Sequence, residues 1–122
     1  MGVIRLARVY AGRGGDDGYR ILVDRLWPRG LSKEKAAIDM WAKECAPTSD
    51  LRRWFGHQPE RFEEFARRYT SELEANPHLD EIRDALKSED VVTLVYAAKD
   101  SERNNAVVLR EYLMTSAIGA NS

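Results

Sequence analysis

The stretch VVTLVYAA, residues 91–98, carries a nearly unbroken apolar run. A strand with one face in water alternates polar and apolar side chains, whereas a strand covered on both faces reads as a continuous run and is typical of parallel sheets flanked by helices. The stretch is therefore read as a buried parallel strand. Working outward, VIRLARVYA (3–11) alternates Val3, Arg5, Ala7 and Val9 with Ile4, Leu6, Arg8 and Tyr10, which suits a strand. GRGGDDG breaks it, and YRILVDRL (19–26) supplies a second strand. Its pleat sets Leu22, Asp24 and Leu26 on one face and Ile21, Val23 and Arg25 on the other. Trp27, Pro28, Arg29 and Gly30 fit a type I turn with proline second and glycine fourth, and Ser32 is placed to cap a short helix. KEKAAIDMWAKEC (33–45) is ambiguous, since Ala37, Met40 and Trp41 have helical spacing while Ile38, Met40 and Ala42 alternate; it is read as a short helix followed by a candidate third strand, with residues 38–44 open to either.

The middle of the chain reads as helix. Ser49 or Thr48 caps a short one with Leu51, Trp54 and Phe55 on one face and Gly56 at its end. Pro59 opens the next, where Phe62, Phe65, Ala66, Tyr69 and Leu73 repeat with helical period, and Glu63–Arg67 and Glu64–Arg68 pairs lie outside. A third helix after Pro77 rests on Leu79, Ile82 and Leu86, and a last one on Ala106, Leu109, Tyr112 and Leu113. The expectation is one α/β domain over residues 1–122: a small, mostly parallel sheet of three to four strands packed by four to five helices.

Composition narrows the function classes. The 19 basic and 20 acidic residues leave a formal net charge of −1, so no global field draws the chain to nucleic acid or anionic lipid. The single Cys45 rules out an internal disulfide, which fits a cytoplasmic protein. MGVIRLARVY lacks the apolar core of a signal peptide, the residue four after Gly2 is Leu6 rather than the Ser or Thr of a myristoylation signal, and no apolar run spans a bilayer.

Open parallel sheets bind ligands beyond the carboxyl ends of their strands. The second strand ends in Asp24 and Arg25, with Trp27, Arg29 and Lys33 just after it, and VVTLVYAA ends in Lys99 and Asp100 before a helix start at Asn104 and Asn105. Parallel neighbours would bring these groups together. Arg25, Arg29 and Lys99 then serve as anion clamps, Trp27 as a flat apolar surface, Lys33 as a further cation, and Asn104 or Asn105 as amide contacts. Asp24, His57 and Asp100 are candidates for proton transfer. The bland alternatives are that Asp24 only accepts backbone N–H groups, that Asp100 or Ser101 is an N-cap, and that His57 bonds the last carbonyls of a helix. Asp24, on the apolar face, is expected to be scaffold, and Arg25 a ligand contact. Cys45 lacks the arginine six residues later that a thiolate phosphate-transfer loop needs, since Leu51 stands there. His57 and His78 lack paired metal-ligand spacing, and no Walker or dinucleotide fingerprint occurs, so neither metal nor cofactor is expected.

VDRLWPRGLSK, WAKECAPTSDLRRWFGH, RFEEFARRY and LVYAAKDSERNNAVVL together resemble the YeaO-like family of small bacterial proteins, a domain of unknown function, over roughly residues 3–113. The resemblance implies a small cytoplasmic bacterial protein and makes Cys45 a packing substitute for an aliphatic residue. Three functional readings follow. The first is a small-anion binding domain or enzyme. The second is an adaptor whose exposed Trp27 turn binds a partner protein. The third, suggested by transcription-regulator labels on some relatives, is a helix-turn-helix over residues 49–69; the four acidic and three basic residues between Pro59 and Leu73 argue against DNA.

Overall fold

A computed structural model describes residues 3–120, with side chains through residue 115; Gly2 lies outside the described residues. Strands β1 (Val3–Arg8), β2 (Tyr19–Leu22), β3 (Met40–Trp41) and β4 (Val91–Tyr96) form one sheet in the order β1-β4-β2-β3. Every pairing is parallel, with Val3 opposite Val91, Tyr19 opposite Val92 and Ile21 opposite Met40. The continuous apolar run is thus an inner strand, with β1 on one side and β2 on the other. Val92, Leu94 and Tyr96 point into the main core, while Val95 joins a smaller cluster with Val9 and Ala36 on the other face.

Helices α1 (Lys33–Ala36), α2 (Ser49–Phe55), α3 (Phe62–Glu74), α4 (Leu79–Ser88) and α5 (Asn105–Ala120) complete the α/β fold. The aromatic stripe of α3 is buried: Phe65, Tyr69 and Leu73 are almost inaccessible, and Phe65 stacks on Phe55 with centroids 4.4 Å apart. Thr48, not Ser49, caps α2, accepting from Leu51 N–H. Among the described residues no helix is long and apolar enough to cross a membrane.

The short helix and third strand expected across residues 33–45 are α1 and the two-residue β3, followed by a 3-10 turn over Lys43–Cys45. Three local expectations are corrected. The turn lies one residue later, closed by Leu31 N–H to Pro28 C=O, which puts Gly30 third with φ of 80°, a type II position that favours glycine. Strand β2 stops at Leu22, so its alternation never reaches Leu26, which is 60% exposed. On α3 the expected Glu64–Arg68 pair forms, but Arg67 also pairs with Glu64 rather than with Glu63.

Candidate functional site

The parting of β2 from β4 begins with two side chains. Val23 N–H still donates to Val95 C=O at 3.1 Å, and in this register the next rung would join Ala97 N–H to Val23 C=O. Instead the Asp24 carboxylate accepts Ala97 N–H at 2.9 Å, and Asn105 Nδ2 donates to Val23 C=O at 2.9 Å and to Asp24 Oδ1 at 3.1 Å. The backbone groups stay satisfied while the strands separate, and a cleft of about 870 Å³ opens at the carboxyl edge of the sheet.

Every residue singled out from the sequence lines that cleft except Lys33, which lies exposed at the start of α1. They differ in what they are free to do. Arg25 lines the cleft and also donates to Pro47 C=O at 3.0 Å and Ala46 C=O at 3.3 Å, tying the exit of β2 to the segment before α2. Asn104 is 1% exposed and serves as the N-cap of α5, its Oδ1 accepting Val107 N–H at 3.0 Å while Nδ2 donates to Asp100 C=O at 2.8 Å. The cap is therefore neither Asp100 nor Ser101. Asp100 instead folds its own loop, accepting Glu102 and Arg103 N–H, and these bonds with the Arg103 guanidinium hold its carboxyl below the ordinary value. Trp27 is half-buried, its indole N–H donating to Leu31 C=O at 2.8 Å and its ring edge-on to Trp41 at 5.4 Å, so the turn does not present an exposed tryptophan.

Asp24 sits on the floor. Burial pushes its carboxyl above the ordinary 3.8, and the Asn105 amide and Ala97 N–H offset part of that rise, with smaller help from His57 and Arg52. His57 follows Gly56 at the end of α2, and both adopt left-handed φ, 52° and 57°. For histidine this conformation is uncommon. Its imidazole does not bond the helix-end carbonyls: Gly56 N–H takes Arg52 C=O, Gln58 N–H takes Phe55 C=O, and the Arg61 guanidinium takes Trp54 C=O. Among the described residues His57 has no side-chain hydrogen-bond partner, and its ring lies 6.1 Å from that of Phe55.

Sequence reasoning missed Arg8, Tyr10 and Arg52, which also line the cleft. Arg8 ends β1 and donates to Ala97 and Ala98 C=O at 3.2 and 3.1 Å, and Tyr10 donates to Arg29 C=O at 2.9 Å. In a parallel sheet every strand ends on the same edge, so the rule applied to Asp24 and Lys99 also pointed to Arg8. Arg52 flanks the Leu51–Phe55 stripe of α2 and is invisible when only the apolar stripe is followed. The lining holds five cationic side chains (Arg8, Arg25, Arg29, Arg52, Lys99) against two carboxylates (Asp24, Asp100), within a chain whose net charge is −1. Arg29, Arg52 and Lys99 have no side-chain hydrogen-bond or ion-pair partner among the described residues. Cys45 is buried away from this lining, and burial pushes its thiol up to about 11, which suppresses the nucleophilic thiolate. No group of three or more His, Cys, Asp or Glu suited to hold a metal ion exists among the described residues.

Residues 3–121 match the family described as the inactive DUF488-N3 subclade. An uncharacterized protein of Mycobacterium tuberculosis (strain ATCC 25618 / H37Rv) is 46% identical over 110 residues, 90% of this chain and 92% of its own length. Uncharacterized protein YeaO of Escherichia coli (strain K12) is 38% identical over 110 residues, 90% of this chain and 96% of its own length. No solved structure matches the chain. The match spans nearly the whole chain, and the protein belongs to the YeaO-like family, in the DUF488-N3 subclade described as inactive.

Proposed function

We propose that the protein binds a small anion in the cleft at the carboxyl edge of its sheet and does no covalent chemistry on it. The observation that carries this reading is the set of cations whose side chains have no hydrogen-bond or ion-pair partner among the described residues, Arg29, Arg52 and Lys99, bordering one concave space. Elsewhere the chain pairs its arginines as a matter of course, with Asp16, Asp17, Asp50 and Glu64 among the acceptors. Guanidinium forks left open beside a cleft favour phosphate or carboxylate.

Binding without turnover is supported by three points. The family description reads inactive. The one cysteine has a suppressed thiolate. Asp24, the carboxylate best placed for proton transfer, already accepts from Ala97 and Asn105. The reading leaves no role for duplex DNA, since the stripe of α3 belongs to the core and the chain carries no excess positive charge. The test is calorimetric titration of the full chain with inorganic phosphate at low ionic strength. Saturable binding that is lost in the Arg29→Ala/Arg52→Ala double variant is expected; no binding by the wild type, or equal binding by the variant, overturns the reading.

A further inference from the structure

A site for a bare oxyanion is a small cup in which cations and backbone N–H groups close on one group of atoms. The cleft is built on another scale. Its volume, about 870 Å³, lies within the range of sites for organic ligands, roughly 300–1,000 Å³. Its lining also includes the apolar side chains of Leu26, Phe55 and Phe65, of which Leu26 is the exposed one. Leu26 stands out because it is 60% exposed while Leu22 and Val23, just before it, are fully buried. An exposed leucine by itself means little. This one borders the same space as Arg29, Arg52 and Lys99, directly after the point where Asp24 and Asn105 hold the strands apart. The stem of the turn is fixed by the Trp27–Leu31 and Tyr10–Arg29 hydrogen bonds, so the leucine is held at the rim by the structure around it.

Resting on the reading that this cleft takes an anion, we propose that its ligand is an organic anion, a phosphate or carboxylate carried on a flat apolar body. The charged group lies at Arg29, Arg52 and Lys99, and the body covers Leu26. Binding removes the leucine side chain from water, and that burial is the part of the affinity a free inorganic ion cannot supply. The same arrangement discriminates against inorganic phosphate, which would leave the apolar wall wet.

The experiment is calorimetric titration of the full chain with three probes: inorganic phosphate, phenyl phosphate and phenylacetate. The expected result is that at least one aromatic anion binds about tenfold or more tightly than inorganic phosphate; which of the two does so tells phosphate from carboxylate. Leu26→Ala, an exposed position whose truncation leaves the core intact, weakens that aromatic anion about threefold or more and leaves inorganic phosphate unchanged. Inorganic phosphate binding as tightly as both aromatic anions overturns the inference while the anion site stands. An unchanged aromatic affinity in Leu26→Ala also overturns it, and failure of all three probes to bind overturns both readings.

Discussion

Arginine does opposite things at the two ends of the sheet. At the amino end of β2, Arg20 is fully buried: Nη1 lies 2.6 Å from Asp17, and Nη2 and Nε donate to the carbonyls of Ala36 and Ala37, each at 2.9 Å. At the carboxyl end, the guanidinium groups of Arg29 and Arg52 border open space with no hydrogen-bond or ion-pair partner among the described residues. Each end also holds a non-glycine residue at positive φ, Ala37 at 51° and His57 at 57°. Arg20 fixes the first by bonding the carbonyls of Ala36 and Ala37, whereas the imidazole of the second faces the cleft unbonded. A guanidinium taken out of water survives only when its donors are met, so the saturated one is architecture. Unmet cations beside a concave surface are available to something that is not the protein itself.

The sharpest break between the two ends is in stability. Arg20→Ala strands the Asp17 carboxylate and two carbonyls, and is expected to lower unfolding free energy in urea by about 3–5 kcal/mol. Arg52→Ala, at an exposed helix position, is expected to change it by less than about 0.5 kcal/mol. Comparable losses in the two variants would erase the distinction.

Asp24 bridges the comparison, a part-buried group at the open end. Asp24→Ala leaves Ala97 N–H without its acceptor and removes one of the two acceptors of the Asn105 amide, and is expected to cost about 1–3 kcal/mol. The pH dependence has a definite sign. Because burial raises the folded carboxyl above 3.8, the folded state holds its proton more tightly, and the stabilisation present below that value is lost as pH rises toward the folded value. The stability gap between wild type and Asp24→Ala therefore narrows with rising pH in urea midpoints measured upward from 3.8. The lowered carboxyls of Asp16, Glu64 and Asp100 act oppositely, losing stabilisation as pH falls through their folded values. A gap that widens with pH would mean that Asp24 is stabilised as an anion.

The smallest effect separates the two strained residues. Replacing either by glycine relieves a left-handed conformation, and Ala37→Gly and His57→Gly are each expected to raise stability by up to about 1 kcal/mol. Only His57→Gly is expected to alter phosphate affinity in calorimetry as well, since only its side chain lines the cleft. A change in phosphate affinity confined to Ala37→Gly would contradict the assignment of the two ends.

Much of this was legible in the residues. The run at 91–98 fixed a central parallel strand because burial on both faces leaves no room for alternation. From that strand the convergence of Asp24, Arg29, Lys99 and Asn105 at one edge followed by topology. Their roles did not follow, because which cations are already bonded depends on carbonyls brought close only by the fold. Arg25 finds Ala46 and Pro47, some 20 residues along, whereas Arg29 meets nothing comparable. The end of β2 was hidden for a related reason: YRILVDRL alternates plausibly through Leu26, but the Asp24 side chain takes the N–H that would have extended the ladder. The fully buried Arg20 was read only as a strand residue, since nothing local distinguishes it from an exposed arginine in the same pattern.

The most direct test of the central claim is a crystal structure of the full chain grown without oxyanions and then soaked in inorganic phosphate. The expected result is tetrahedral density in the cleft within hydrogen-bonding distance of at least two of Arg29, Arg52 and Lys99, with Arg20 unchanged in its network. An empty cleft in the soaked crystal, or phosphate bound only at other surface arginines, would contradict the account.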